Sequence, residues 1–186
     1  MNLTNQFLVA MPKLSGTSFH EAVVLIFQHS DAGSTGVVLN QCVDAGLEEV
    51  FTHLKVPISA GALGGRTRVL SGGPAERQKG FVLHSPVGNW RTSVRISDEL
   101  AITSSKDLLF AMASKKGPSK AQLVLGCAKW DAGQLEAEIM ENAWLTVPAN
   151  LGVIFETPIL DRWNEAAAGI GVQNMRVMSQ LVGHSA

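Results

Sequence analysis

Short apolar runs separated by turn residues occupy the first half of the chain. Residues 22–29 and 36–40 are two such runs, and the segment 30–35 between them is rich in Ser, Gly and Asp. Apolar runs of this length are typical of strands, and two runs joined by a short turn predict a hairpin. In this half of the chain, strands are predicted at residues 6–11, 22–29, 36–40, 68–71 and 81–84.

Apolar residues spaced three and four apart predict helices in other places. A helix capped by Asp44 would carry on one face Leu47, Val50, Phe51 and Leu54. A second helix is predicted at residues 105–116. A third would begin with Thr157 and Pro158 as cap and first turn, and helical spacing continues from Val172 to Val182. Its buried stripe would consist of Ile159, Trp163, Ala166, Ala167 and Ile170.

Further strands are predicted at residues 90–96, 100–103, 144–147 and 151–155. The segment 90–96 alternates, so Arg91 and Arg95 would share one exposed strand face, about 13 Å apart at roughly 3.3 Å per residue. These two arginines are the candidate anion-binding surface.

The stretch 121–144 predicts a buried strand, a sharp turn and a capped helix. Gly126 would leave room for the close approach of another backbone. Asp131 is the expected N-cap, with Gln134 three residues later completing a reciprocal capping pattern. Two interpretations stay open: an inner strand with its packing helix, or a pocket at the carboxyl end of the strand, where open sheets bind ligands. In the second interpretation, Trp130, Gln134 and Glu136 would face the pocket.

Size and composition indicate a single domain without a membrane span. The 186 residues are 46% hydrophobic and 17% charged, enough for a sizeable core and too apolar for disorder. No run approaches the ~20 apolar residues of a transmembrane helix, and the amino terminus does not have the pattern of a signal peptide. Cys42 and Cys127 follow no motif, which predicts reduced thiols, no disulfide and a cytoplasmic location.

The charge is distributed unevenly although the net charge is only −1. Residues 61–120 carry ten basic and four acidic side chains. Between positions 66 and 95, Glu76 alone opposes Arg66, Arg68, Arg77, Lys79, Arg91 and Arg95. This segment is either an anion-facing surface or an ordinary solvated face balanced by acidic neighbours in the fold.

Familiar catalytic and binding motifs do not occur in the sequence. There is no G-x-S-x-G elbow, and the five histidines have no metal-ligand spacing, so no metal or cofactor is expected. Gly72-Gly73-Pro74 lacks the lysine of a phosphate loop and predicts a turn with positive φ. No basic recognition helix is evident, which predicts weak, unspecific binding of duplex DNA. Phe81 and Trp90 are aromatic residues within the basic segment, which is also compatible with a surface that binds single-stranded nucleic acid or a nucleotide.

Several collinear stretches resemble the YqgE/AlgH proteins of bacteria. They include residues 5–12, 19–29, 36–40, 71–74, 80–84, 102–107, 132–136 and 142–146, together with Gly126, Trp130, Ile139, Arg162 and Trp163. The resemblance implies an α+β domain whose strongly bent, mixed sheet approaches a pseudo-barrel flanked by helices. It also implies a regulatory role, because the family name derives from alginate gene regulation, but it supplies no catalytic residues. The chain departs from the family pattern at Gln41, Cys42 and Cys127.

The leading functional hypothesis is a cytoplasmic, non-enzymatic regulatory or ligand-binding protein whose partner is a small molecule or another protein. The candidate ligand pocket consists of Asn40, His84, Trp130, Gln134 and Glu136. His84 has two interpretations, a hydrogen-bonded structural histidine or a pocket residue. One alternative function is an enzyme that acts on a small anionic metabolite or nucleotide, with His84 and Glu136 transferring protons. The other is direct nucleic-acid binding through residues 66–95.

Overall fold

Three antiparallel strands begin the sheet in the computed structural model, which describes residues 1–62 and 68–169. They are β1 (Gln6–Ala10), β2 (Val23–Ser30) and β3 (Gly33–Val38). β2 and β3 form the predicted hairpin, and β1 pairs with the other edge of β2. Alternate residues of β1 and β2 enter two different core clusters, so both faces of these strands are covered.

Seven further strands complete a bent sheet of ten. They are β4 (Cys42–Gly46), β5 (Arg68–Ser71), β6 (Ala75–Ser85), β7 (Ser93–Arg95), β8 (Ala101–Thr103), β9 (Lys120–Asp131) and β10 (Trp144–Pro148). The main path runs β10-β1-β2-β3-β9-β6-β8-β7, and β4 and β5 branch from β9. Among the described strands, every pairing is antiparallel except that of β5 with β9.

Helices cover the faces of this sheet, as the predicted α+β class requires. The described residues contain α1 (Leu47–His53), α2 (Lys106–Ala113), α3 (Gln134–Met140), α4 (Leu151–Phe155) and α5 (Arg162–Ala168). α4 and α5 pack on one face of β1 and β2, α3 packs on the other, and α1 and α2 cover β6 and β9. None of these helices is long and apolar enough to cross a bilayer.

The strand predicted at residues 151–155 is wrong, because this segment is α4. The side chain of Asn150 caps the helix, with Oδ1 accepting a hydrogen bond from the Val153 amide at 2.9 Å. Val153 and Ile154 are buried in the core. A short apolar run does not distinguish a buried helix from a buried strand. In this segment the Asn150 cap favours the helix.

The strand predicted at residues 90–96 is reduced to the three residues of β7. Arg91 precedes it, and its amide donates to Asp107 Oδ2 at 2.9 Å. The Thr92 amide likewise donates to the Ser105 hydroxyl. These side-chain acceptors replace ladder partners, so Arg91 and Arg95 do not share a strand face.

Helix starts were also predicted at the wrong residues. α3 begins at Gln134 with Gly133 at its N-cap, and Asp131 is the last residue of β9. Half of the expected reciprocal pattern is present, since the Asp131 amide donates to Gln134 Oε1 at 3.0 Å. α1 begins after Gly46 rather than near Asp44, which lies in the unpredicted strand β4.

The last predicted helix is broken into two parts. A 3-10 turn, Ile159–Asp161, precedes α5, and the Thr157 hydroxyl donates to the Gly152 carbonyl instead of capping a helix. Trp163, Ala166 and Ala167 are buried as predicted. Ile170 and the helical spacing from Val172 to Val182 lie outside the described residues.

Two glycine-containing segments cross at the end of β5. The sequence predicts a close backbone approach at Gly126 and positive φ at Gly72-Gly73, but it does not predict that these two segments meet. A Cβ atom on Gly72 would lie 2.3 Å from the Gly126 carbonyl oxygen, and one on Gly73 would lie 2.4 Å from the Cys127 carbonyl. Gly73 has φ +147° and Gly126 has φ +78°, which favour glycine. The Gly72 amide donates to the Leu125 carbonyl at 2.7 Å, so the two segments are bonded where they cross.

Substituting Gly72 with Ala should therefore destabilise the protein. The new methyl group meets rigid backbone, so we expect a loss of about 2 kcal/mol or more in the free energy of unfolding. Urea denaturation measures it as a lower midpoint. Gly80→Ala is the matched control, because its Cβ would meet only side chains, those of Leu54, Leu123 and Leu125, at ordinary distances of 3.7, 3.9 and 3.9 Å. Equal midpoints for the two variants would contradict the crossing.

Candidate functional site

A cleft of about 310 Å³ opens beside the glycine crossing, at the carboxyl end of β5. We call it the Arg77 cleft, and its lining residues are Ser18, Phe19, Val38, Gln41, Val43, Ser71, Gly73, Pro74, Arg77 and Leu125. β5 is the strand that pairs in parallel with β9, with Ser71 opposite Leu125. The cleft thus lies where parallel strand ends commonly leave a crevice.

A bulge in β6 brings Arg77 to the cleft. Ala75 pairs with Cys127 and Gly80 with Leu125, so the residues between Ala75 and Gly80 have no ladder partners on β9. Glu76 has φ +47°, which turns the chain away from the sheet. As a result, Arg77 and Gln78 line surface clefts together with Leu125.

A second cleft of about 280 Å³ adjoins the first on the side of α1. We call it the α1 cleft, and its lining residues are Ala45, Glu49, Val50, His53, Leu54, Arg77, Gln78 and Leu125. Arg77 and Leu125 line both clefts. The two clefts therefore adjoin at Arg77 and Leu125, and we call them together the groove.

Arg77 is the unpaired cation of the bulge. Glu76 contacts Lys129 at 2.9 Å and Lys79 at 3.8 Å, and the hydrogen bond from Lys129 lowers the pKa of the Glu76 carboxyl. Among the described residues, no carboxylate lies within ion-pair distance of Arg77, which is exposed. The groove therefore presents one positive charge that is free to meet an anion.

An aromatic cluster lies behind the Arg77 cleft. Phe19, from the loop after β1, stacks on Trp130 with 6.0 Å between centroids and meets the edge of Trp144 at 5.4 Å. Glu138 Oε2 accepts hydrogen bonds from both indoles, Trp130 Nε1 at 3.0 Å and Trp144 Nε1 at 2.8 Å. Phe19 thus connects the cleft wall to two buried tryptophans.

Two of the five predicted pocket residues, Trp130 and Gln134, lie close together because both bind Glu138. Glu138 is not among the residues predicted from the sequence. Gln134 Nε2 donates to Glu138 Oε1 at 3.0 Å, and Trp130 donates to the other oxygen. Glu136 lies elsewhere on α3, with Oε1 3.3 Å from His29 Nε2. The spacing of Glu138 four residues after Gln134 is the signal that could have identified it.

Asn40 and His84 hold the backbone and are not available to a ligand. Asn40 Oδ1 accepts from the Val23 amide at 2.9 Å, and its Nδ2 donates to the Glu21 carbonyl at 2.7 Å. His84 is fully buried, with Nδ1 3.0 Å from the Pro86 carbonyl and Nε2 2.8 Å from the Thr103 hydroxyl. Burial lowers the pKa of His84. The structural interpretation of His84 is the one that its contacts support.

The basic segment does not form one surface. Arg95 Nη2 contacts Asp98 at 2.9 Å, and Arg91 faces Asp107, whose pKa it helps to lower. Arg68 lies on β5, away from these two residues in the sheet order, and Arg66 lies outside the described residues. The candidate anion surface of Arg91 and Arg95 is thus partly neutralised by neighbouring carboxylates.

A larger cleft, about 740 Å³, lies at a different place, between the turn 97–100 and the start of α4. Its charged lining residues are Asp98 and Glu99, so it does not suit an anion. Within residues 1–62 and 68–169, no three His, Cys, Asp or Glu side chains are grouped as metal ligands would be. Of these three clefts, the Arg77 cleft and the α1 cleft are the two that have an arginine among their lining residues to bind an anionic ligand.

Replacing Glu138 with Ala should leave two buried indole N–H groups without acceptors. Trp130 and Trp144 are 5% and 2% exposed, so we expect a loss of about 2 kcal/mol in unfolding free energy and a changed tryptophan emission. Glu136→Ala, on the same helix, should cost under about 1 kcal/mol and leave the emission unchanged. Urea titrations followed by fluorescence measure both. A larger loss of unfolding free energy for Glu136→Ala than for Glu138→Ala would contradict the assignment of Glu138 as the acceptor of both indole hydrogens.

Cys127 should make folding stability fall at high pH. Burial, with the Glu76 carboxylate 3.5 Å from Sγ, raises the pKa of the thiol from 9.0 to about 11. Because the folded protein favours the protonated thiol, its contribution is complete below pH 9 and declines as the pH rises toward 11. We expect a loss of roughly 1–3 kcal/mol, measured by urea denaturation at pH 8 and pH 10.5. Cys127→Ala should show less decline and Cys42→Ala the full decline; the opposite order would contradict this.

Comparison with known proteins gives a consistent result over nearly the whole chain. A family model described as AlgH-like matches residues 7–175. A UPF0301 protein of Thioalkalivibrio sulfidiphilus is 44% identical over 184 residues, which cover 99% of this chain and 97% of the relative. The UPF0301 protein YqgE of Escherichia coli is 41% identical over 188 residues and is matched over 100% of both chains.

Solved structures agree with this result. The solution structure of AlgH from Pseudomonas aeruginosa has a TM-score of 0.81 and 36% identity, covering 95% of this chain and 93% of that one. A crystal structure from Corynebacterium diphtheriae, at 23% identity and a TM-score of 0.71, shares the fold over 89% of this chain and 85% of its own. The resemblance found in the sequence is confirmed, and the chain belongs to the YqgE/AlgH family.

Proposed function

We propose that this protein is a cytoplasmic, non-enzymatic regulatory protein that binds a small anionic molecule in the Arg77 cleft. One observation carries the proposal: an exposed arginine, without a carboxylate partner among the described residues, lines two adjoining clefts whose walls combine apolar and polar side chains. A single cation beside apolar side chains is a common way to hold the charged end of a small ligand. The volume of about 310 Å³ is at the lower end of such sites.

Phe19 connects the cleft to the aromatic cluster inside the protein. A ligand in the cleft would contact Phe19, which packs on Trp130 and Trp144. Movement of Phe19 would change the packing of the loop 15–21 and of the aromatic cluster. A surface altered in this way suits contact with a partner protein, so any effect on transcription would be indirect.

The enzymatic alternative has no comparable support. His84 pairs with Ala121 near the start of β9. Glu136 contacts His29, whose neighbour Ser34 pairs with Trp130 near the other end of β9. The two proposed proton-transfer groups thus lie at opposite ends of a long strand. Direct nucleic-acid binding is also less supported, because the described basic residues of 68–95 are dispersed and several are paired.

NMR titration of isotope-labelled protein with small carboxylates, nucleoside monophosphates and sugar phosphates tests the proposal. We expect at least one of these anions to shift the amide signals of Gln41, Ser71 and Gly73 and the indole signal of Trp130. Arg77→Gln should weaken this binding at least tenfold, because a charge-assisted contact contributes about 1.5–3 kcal/mol.

Arg68→Gln is the matched control, since Arg68 is also exposed and basic but lines neither cleft. It should bind as the unsubstituted protein does. Shifts that cluster around Asp98 and Glu99 instead, or binding that Arg77→Gln leaves intact, would contradict the proposed site.

A further inference from the structure

We infer that the ligand of this groove is a monoanionic amphiphile, a small carboxylic acid with an extended apolar body that spans both clefts across Arg77. The inference rests on the proposed function and adds the chemical class of the ligand. Its grounds are the charges that line the groove, the apolar walls on both sides of Arg77 and the position of Glu49.

The lining charges favour a single negative charge on the ligand. Arg77 is the only cationic side chain among the described residues of the Arg77 cleft. The neighbouring Lys79 and Lys129 are held at Glu76. A guanidinium binds a carboxylate through two parallel hydrogen bonds and needs no second cation for it. A phosphate dianion or a polyphosphate would carry further charge, and neither cleft has a second lysine or arginine among its described lining residues to neutralise it.

The α1 cleft repels additional negative charge and accepts an apolar body. Glu49 lines this cleft and places a carboxylate beyond Arg77. Val50, Leu54 and Leu125 form its apolar wall, and Leu125 continues into the first cleft. On the other side of Arg77, the wall includes Phe19, Val43 and Pro74. A ligand with one carboxylate and a hydrocarbon chain or ring matches this distribution of charge.

Calorimetric titration with hexanoate, octanoate and decanoate, each below its micelle-forming concentration, tests the inference against AMP and inorganic phosphate. The affinity should rise about threefold to fourfold for each methylene added until the groove is full. AMP and phosphate should bind at least tenfold more weakly than decanoate. Decyltrimethylammonium, which has the same chain and the opposite charge, should not bind in the groove.

Two substitutions locate the binding. Arg77→Gln should weaken decanoate binding at least tenfold, whereas Arg68→Gln should leave it unchanged. Glu49→Gln should narrow the preference for decanoate over AMP, because it removes the repelling carboxylate at the far end of the groove.

The outcomes separate this inference from the proposed function. Arg77-dependent binding of AMP or phosphate that exceeds the binding of decanoate would overturn the amphiphile and leave the anion site standing. Equal affinities for hexanoate, octanoate and decanoate would also overturn the amphiphile and leave the anion site standing. Binding of decanoate that is indifferent to Arg77→Gln would overturn the inference, and no Arg77-dependent binding of any anion would overturn both.

Discussion

The crossing of Gly72-Gly73 over Gly126-Cys127 is the constraint on which the rest of the architecture depends. The absence of side chains lets the two backbones approach, and the Gly72 amide and carbonyl bond to Leu125 and Val38 respectively. These contacts join β3, β5 and β9 at one point and stabilise the parallel pairing of β5 with β9. They also lie at the end of β5, where the Arg77 cleft opens.

Much of the fold could be predicted because its strands bury both faces. Continuous apolar runs such as Val23–Phe27 have few alternatives, Gly126 indicates a close backbone contact, and Gly72-Gly73 indicates positive φ. The failures occurred where a side-chain hydrogen bond, and not the hydrophobic pattern, determines the backbone. Asn150 makes the apolar run a helix through a local contact, by accepting the Val153 amide hydrogen. Asp107 and Ser105 accept the amide hydrogens of Arg91 and Thr92, so the strand begins only at Ser93. The contacts of Asp107 and Ser105 depend on tertiary structure, and hydrophobic periodicity encodes neither kind of contact.

The candidate site was predicted less well for a related reason. The rule that crevices lie at strand ends was applied to β9, the most evident strand, whereas the parallel strand is the short β5. The sequence predicts that Trp130 and Gln134 face a ligand, but both side chains donate hydrogen bonds to the half-buried Glu138. Nothing in the sequence distinguishes Arg77 from the other five basic residues between positions 66 and 95. The bulge in β6 that brings it to the cleft cannot be inferred, because its residues resemble an ordinary polar strand end.

The bulge between Ala75 and Gly80 also has an evolutionary consequence. Its side chains have no ladder partners, so their identity is not tied to the register of β6 and β9. Mutations in this segment can alter the charge beside the groove while the glycine crossing and the core remain intact. The glycine crossing and the core thus tolerate few substitutions for steric reasons, whereas the short bulge segment can vary in sequence at little cost in stability. In such an arrangement, a family can retain one architecture and acquire different ligands through changes at a few positions.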